Sequence, residues 1–369
     1  MGNELIYRTQ AKPFTKGRPS TNVEVYNSLL DVAINLGNHP LLIVDENLVN
    51  ESDVARMFTQ TKKNGGEIVR LQVGKSIKEY TVYLSLKKQL ENTIHDVVLI
   101  VGGGTTINVG LYLTDDLNII NTLSPVIIPA NTMSLVDVAI GSLGLLNKDG
   151  VKNKLRAVCD PVQVIISRDL FESAPLALRT DGMIEVMKHA LFQDDAILES
   201  STAAYLNRGD KKKYFELAIY GMKLKINLQN ATIGGNESLK RLLTYGHLHA
   251  HLLEEYFNYK IPHSLGVYLG LLIDLKLAGP IDADTYLFDA LEGSQKKNDL
   301  VQMLLEIKID KLRDLYSHQS KYINNETDDF YVVKLSELGC YKDLNKTVDL
   351  SEHSFEEIAE VYKSLKEKL

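Results

Sequence analysis

Five strand-length apolar runs punctuate the first half of the chain: PLLIVD at 40–45, EIVRLQV at 67–73, DVVLIVG at 96–102, PVIIPA at 125–130 and VQVIIS at 162–167. Helical patterns separate the early runs, at 23–36, 51–64 and 77–92. In the last of these, Tyr80, Tyr83, Leu84, Leu86 and Leu90 recur at helical spacing. A strand that is apolar along its whole length is buried on both faces, as in a parallel sheet covered by helices. From about residue 170 the pattern changes to long helical stretches, at 181–193, 213–230, 237–258, 264–278, 297–307 and 355–368, with FYVVKL at 330–335 the best strand signal among them. The pattern predicts an α/β protein: an N-terminal Rossmann-like parallel-sheet domain over 1–168 and a mostly α-helical domain over 169–369. No repeat or low-complexity linker separates the two.

Composition narrows what such a chain does. Its 369 residues are enough for two domains, and 44% hydrophobic with 24% charged residues is a globular balance that excludes bulk disorder. A net charge of −7 repels phosphate backbones on average, which argues against a nucleic-acid partner. Two cysteines, Cys159 and Cys340, cannot build a disulfide framework and point to a reducing, cytoplasmic setting. No apolar run approaches the roughly 18–20 residues of a membrane span.

Two segments carry candidate chemistry. Gly102, Gly103 and Gly104 follow a buried strand and precede a helix, where glycines let a pyrophosphate approach the backbone and the helix terminus favours its charge. The same glycines also suit a plain tight turn. Asp45, at the end of the first apolar run, is placed either to meet a nucleotide or to cap a helix. Four of nine histidines fall between 247 and 263. His247 and His251 are i,i+4 neighbours on one helix face, His249 points elsewhere, and His263 follows a proline in a turn. Upstream, Glu185, Lys188 and His189 share a helix face. A carboxylate with two histidines leaves a position open on Zn²⁺, the pattern of a catalytic metal, whereas solvated helix-face histidines are the plainer alternative. Lys152, Lys188, Lys225 and Lys321 are placed to hold anions or move protons.

These segments, in order, resemble the sugar phosphate cyclases, the family of 3-dehydroquinate synthase. VVLIVGGGTTINVG resembles the family's glycine-rich NAD segment, and IPANTMSLVDVAIGSLGLLNKDGVKNK its PTT…VDSSVGGKTGVN…KN stretch. DGMIEVMKHAL resembles GxAEVIKxxL, RLLTYGHLHAHLLE resembles RxLLNxGHTxGHAxE, and IPHSLGVYLGL resembles xxHGEAVAxGM. The resemblance implies that Glu185, His247 and His263 ligate Zn²⁺ (or Co²⁺). It places His251 beside the metal for proton transfer or phosphate binding, and Lys188 near the metal and the substrate hydroxyls. Asp137, Lys152 and Asn153 would line the substrate pocket, Lys225 and Arg241 would hold a carboxylate, and Lys321 would lie near the phosphate. Gly102, Gly103, Gly104, Asn108 and Lys78 would line the NAD site, with Asp45 at the adenosine end, where an acidic side chain suits NAD over NADP. The implied reaction oxidises a substrate alcohol with NAD, eliminates phosphate, returns the hydride and closes a carbocycle. A homodimer is implied as well.

The chain departs from the family pattern at defined places. Asn108 stands where dehydroquinate synthases carry aspartate, although 2-deoxy-scyllo-inosose synthases tolerate asparagine there. Lys75, Ala130, Asn131, Ser167, Arg168 and Thr244 also differ. Leu143 replaces the GGK lysine, and Asn121 an arginine that reaches the partner subunit's phosphate. Two absent charge-assisted hydrogen bonds, each worth about 1.5–3 kcal/mol, cost about 3–6 kcal/mol, or roughly two to four decades in affinity. The expectation is a cyclase of the dehydroquinate synthase type that handles the usual heptulosonate phosphate poorly. The alternatives are a cyclase for another sugar phosphate (2-deoxy-scyllo-inosose or valiolone type), a metal-dependent polyol dehydrogenase, and a homologue without the family turnover.

Overall fold

The apolar runs become the middle of a sheet. The computed structural model describes residues 5–317, 327 and 329–368, except 33, 35, 73, 75, 91, 118–122 and 124. Two compact units emerge, Met1–Gly182 with Ala218–Ile226, and Met183–Leu217 with Asn227–Leu369. The first therefore runs past residue 168 and takes in part of a later helix.

The first unit holds nine strands: β1 (Leu5–Ala11), β2 (Thr21–Tyr26), β3 (Pro40–Asp45), β4 (Glu67–Leu71), β5 (Val97–Gly102), β6 (Pro125–Pro129), β7 (Leu143–Lys148), β8 (Val151–Val158) and β9 (Gln163–Ser167). All except β7 and β8 form one sheet in the order β1-β2-β9-β6-β5-β3-β4, parallel throughout apart from the antiparallel β1–β2 pair. Leu41, Leu42, Ile43 and Val44 of β3 and Val98, Leu99, Ile100 and Val101 of β5 are fully buried, as strands covered on both faces require. Helices α1 (Ser52–Lys63), α2 (Tyr80–Leu90), α3 (Gly104–Leu117), α4 (Arg168–Ser173) and α5 (Leu176–Asp181) complete the unit with a stretch of a longer helix.

One expectation fails here. The helical reading of 23–36 is wrong: the segment begins inside β2 and continues into a single 3₁₀ turn at Leu29–Asp31. Val23 and Val25 are buried on one face of β2, while Glu24 on the other is buried by Arg8 at 2.6 Å, Tyr26 Oη at 2.9 Å and Gln163 Nε2 at 2.8 Å. Val23, Glu24 and Val25 carry the apolar–polar alternation of a strand, but the run is too short to outweigh the helical spacing of Val23, Tyr26 and Leu30 that overlaps it.

Chain order sets the crevice. β3 has β4 on one side and β5 on the other, so the order reverses between β3 and β5. Ligands of open α/β sheets lie beyond the carboxyl ends of the strands at such a point. Val44 pairs with Val101 there, which brings Asp45 and Gly102 to the same rim.

The second unit is mostly helical. It contains α6 (Met183–Gln193), α7 (Asp195–Tyr205), the residues of α8 (Tyr214–Ile233) outside Ala218–Ile226, α9 (Lys240–Leu243), α10 (His247–Tyr256), α11 (His263–Ala278), α12 (Ala283–Ala290), α13 (Gln295–Glu306), α14 (Ile309–Tyr316) and α15 (Phe355–Glu367). A small antiparallel pair, β10 (Phe330–Val333) and β11 (Leu350–His353), joins them. The helical stretch expected over 237–258 is broken at Gly246, whose φ of +74° suits glycine. The break lets α10 and α11 meet backbone to backbone: a Cβ on Gly270 would lie 2.0 Å from the Gly246 carbonyl oxygen. Among the described residues, no helix is long and apolar enough to cross a membrane.

Candidate functional site

Helix α6 is buried on every side, yet it carries Glu185, Lys188 and His189. A buried charge needs a partner. Lys188 Nζ donates to Glu185 Oε2 at 2.5 Å and to the Leu243 carbonyl at 2.9 Å, and both side chains of the ion pair are 1% exposed. That leaves Glu185 Oε1 buried and with no hydrogen-bond partner among the described residues. His247 Nε2, from the first turn of α10, lies 3.6 Å from it. His263, at the start of α11, completes a set in which one ligand atom from each of the three residues lies within 4.8 Å of the others.

Both imidazoles are oriented through their second nitrogen. His247 Nδ1–H donates to the Tyr245 carbonyl at 3.0 Å, which turns the lone pair of Nε2 toward Glu185. Burial, then the Lys188 ammonium and the rings of His263 and His251, hold the His247 imidazole well below its usual range, so it is a neutral donor at pH 7. His263 Nδ1 bonds the buried carboxylate of Glu254 at 2.8 Å, leaving Nε2 as the ligand atom. A carboxylate–histidine arrangement of this kind sets the tautomer and basicity of a metal ligand. The donor set, one carboxylate and two imidazoles around an orphaned buried oxygen, fits a divalent cation such as Zn²⁺ with room for a further ligand. His251 is exposed one turn along α10, its ring 5.6 Å from that of His247 and 6.3 Å from that of His263. Glu254 was not singled out in the sequence, although it lies at the final E of the HTxGHAxE-like segment.

In the first unit, Gly102–Gly104 close β5 and open α3 at the rim of the crevice. A Cβ on Gly103 would lie 2.9 Å from Asn131 Nδ2, and one on Gly102 would lie 2.8 Å from the Thr106 side chain. The glycines therefore serve tight local packing while leaving the first amides of α3 directed out of the helix terminus. Asn108 and Thr106 are buried on α3, and Asn108 Oδ1 and Thr106 Oγ1 have no hydrogen-bond partner among the described residues. This glycine-lined terminus at the strand-order reversal fits a dinucleotide pyrophosphate. Asp45 caps the 3₁₀ turn after β3, its Oδ1 accepting from Asn47 N at 2.9 Å and Asn47 Nδ2 at 3.0 Å.

The other expected residues are placed as follows. Lys225 Nζ is ion-paired with the Asp137 carboxylate and also donates to the Asp137 carbonyl, so these two pocket candidates come together. Asp137 itself lies in a π-helical turn, Ser134–Val138. Lys78 Nζ donates to Asn153 Oδ1 at 2.7 Å, joining a cofactor candidate to a substrate candidate. Asn153 and Lys152 lie on β8, in a hairpin whose Asp149–Gly150 turn has both φ angles positive. Leu143 is half-buried on β7 opposite Val158. Arg241 lies with its guanidinium over the Tyr331 ring at 5.8 Å, lining a small cavity with Thr244, Tyr245 and Asp274 that includes none of the three metal-cluster residues. Lys321, Asn121 and Lys75 lie outside the described residues.

Comparison with known proteins gives a consistent picture. Residues 182–322 match the 3-dehydroquinate synthase C-terminal family. The 3-dehydroquinate synthase of Saccharolobus solfataricus is 26% identical over 215 residues, which is 56% of this chain and 59% of that one. That of Sulfurisphaera tokodaii is 26% identical over 271 residues, 67% of this chain and 73% of the other. In fold, the chain is similar to 2-deoxy-scyllo-inosose synthase complexed with carbaglucose-6-phosphate, NAD⁺ and Co²⁺, at a TM-score of 0.73 and 17% identity over 97% of this chain and 99% of that one. It is equally similar to 2-epi-5-epi-valiolone synthase from Streptomyces hygroscopicus with NAD⁺ and Zn²⁺ bound, at a TM-score of 0.73 and 15% identity over 97% and 100% of the two chains. The chain thus resembles the sugar phosphate cyclases, 3-dehydroquinate synthase in its sequence and the wider family in its fold.

Proposed function

We propose that this chain is a metal- and NAD-dependent cyclase of the 3-dehydroquinate synthase type, acting on a small sugar phosphate. The observation that carries the reading is the open donor set of Glu185, His247 and His263 with Lys188 bonded to its carboxylate. When bound, the cation would polarise a substrate hydroxyl and NAD would take and return a hydride, chemistry that no side chain here supplies alone. Glu185, His247 and His263 hold the cation. Lys188 fixes Glu185 so that Oε1 faces His247, and the exposed imidazole of His251 is available to carry a proton. Gly102–Gly104 and the first turn of α3 receive the pyrophosphate, and Asp45 borders the adenosine end. The carbaglucose-6-phosphate bound by the 2-deoxy-scyllo-inosose synthase it is similar to favours a phosphorylated polyol, and by resemblance to the family we propose a homodimer.

Leu143 shapes the substrate preference. A half-buried leucine paired with Val158 offers no cation at that point of the hairpin, while Lys154 is drawn to Asp149 at 3.0 Å and Lys148 lies over the Tyr80 ring at 5.2 Å. Lys225, paired with Asp137, meets a substrate carboxylate with its charge already partly neutralised. The reading is therefore a cyclase with weakened grip on the heptulosonate 7-phosphate used by the synthases it resembles.

The test is phosphate release from that substrate and from glucose 6-phosphate and sedoheptulose 7-phosphate, with NAD and Zn²⁺ supplied and NADH followed in parallel. Phosphate release without net NADH from any of the three supports the cyclase reading. Net NADH production from a polyol would assign a dehydrogenase instead. A catalytic efficiency on the heptulosonate substrate of about 10⁴ M⁻¹s⁻¹ or above would sink the weakened-phosphate argument.

A further inference from the structure

Helix α10 begins with buried backbone amides that need partners. The amide groups at a helix start have no partner within the helix, and Gly246 immediately precedes the metal-cluster residue His247. A side chain from α11 supplies the partner: Gly246 N–H donates to Asp274 Oδ2 at 2.7 Å. Asp274 Oδ1 accepts from His249 Nε2–H at 3.0 Å. That donation fixes the tautomer, so His249 Nδ1 accepts from the Tyr316 hydroxyl, and the Tyr362 hydroxyl reaches Tyr316 Oη at 3.5 Å. Asp274, His249, Tyr316 and Tyr362 are all buried. Burial, first of all, raises the Tyr316 hydroxyl far above its usual range, which keeps it a proton donor. Each donor points inward along the chain, and the chain ends on the Asp274 carboxylate.

We infer that Asp274 is a positioning residue for the metal centre: it clamps the backbone before His247 to α11, the helix that opens with His263. The clamp acts on the same glycine whose carbonyl packs closely against Gly270, so α11 bonds the amide of Gly246 and abuts its carbonyl. His249 and Tyr316 hold the carboxylate in turn. The two imidazoles thereby keep their spacing before any cation arrives. This inference rests on the metal-centre reading proposed above.

The test is Co²⁺ titration of the full chain, read from the visible d–d absorption band and from competition with a chelator, with circular dichroism confirming the fold. The variants are Asp274→Ala, Asp274→Asn and His263→Ala. Asp274→Ala should bind Co²⁺ about tenfold or more weakly with an altered band, whereas Asp274→Asn should stay within about threefold of the parent. Asparagine can still accept from Gly246 N–H and donate to His249 Nε2 once that ring reverses its tautomer. If Asp274→Ala does not fold, Asp274→Leu refills the space without an acceptor and is expected to show the same loss. A folded Ala or Leu variant with the parent affinity and band overturns the inference, as does an Asn variant as weak as the Ala variant. Failure of the parent to bind Co²⁺, or unchanged binding in His263→Ala, overturns the metal-centre reading instead.

Discussion

Replacing Lys188 by Met tests the metal centre without touching a ligand. The Lys188 ammonium and the Glu185 carboxylate are each 1% exposed and 2.5 Å apart. Removing one partner of such a pair leaves an uncompensated buried charge, at a cost of about 3–5 kcal/mol. The Leu243 carbonyl also loses its donor, which adds about 1 kcal/mol. In metal-free protein the expected loss is therefore about 4–6 kcal/mol. A cation on Glu185 supplies the missing charge, so in Zn²⁺-saturated protein the loss should fall to about 1–2 kcal/mol. The assay is urea unfolding of parent and variant, with chelator and with excess Zn²⁺. The chain has no tryptophan and 18 tyrosines, so tyrosine emission is the natural probe. An equal loss of stability in both conditions would refute the reasoning, because it would mean that no cation compensates Glu185.

Four further outcomes are expected. Glu254→Gln, which weakens the hold on His263 Nδ1, should lower Zn²⁺ affinity about 10- to 100-fold in chelator competition. Gly270→Ala should destabilise the second unit by about 3 kcal/mol or more in urea unfolding and reduce metal content, since its Cβ would collide with the Gly246 carbonyl. Ser354 caps α15 in a box with Glu357, and the Ser354 amide holds the Glu357 carboxylate below its usual range. That contribution is present above the unfolded glutamate value of about 4.3 and is lost as pH falls through the lower folded value, so Glu357→Gln should flatten the stability slope between about pH 5 and pH 3. Leu143→Lys should tighten binding of a phosphorylated substrate, measured as KM, by about tenfold or more, the worth of one charge-assisted hydrogen bond.

The sheet was legible because its central strands are buried on both faces and read as unbroken apolar runs. β1 and β2 were not: β1 is largely exposed and so carries no apolar run, and the short Val23–Val25 alternation of β2 is overlapped by apolar residues at helical spacing. The triad Glu185, His247 and His263 could be named from motif resemblance, yet helical spacing alone pairs His247 with His251 and Glu185 with His189. What separates them is tertiary: α11 brings His263 in, and the fully buried α6 presents Glu185 with one oxygen already bonded to Lys188. Glu254 and Asp274 act through contacts between α10 and α11 that no periodicity reports. Arg241, assigned to a carboxylate by motif, has its guanidinium over the Tyr331 ring, a contact that no spacing in the sequence reports.

The segment HLHAH is divided by the fold among three environments: His247 in the metal cluster, His249 in the buried hydrogen-bond chain and His251 at the surface. The unfolded chain makes no such distinction. There the three imidazoles lie on one short stretch that could chelate a cation with no fold at all. Excess cation would therefore stabilise the native protein by less than its native affinity implies, because part of the binding free energy is available to the unfolded state. A cation held on this segment in the unfolded chain would have to release His249 before that ring could reach Asp274.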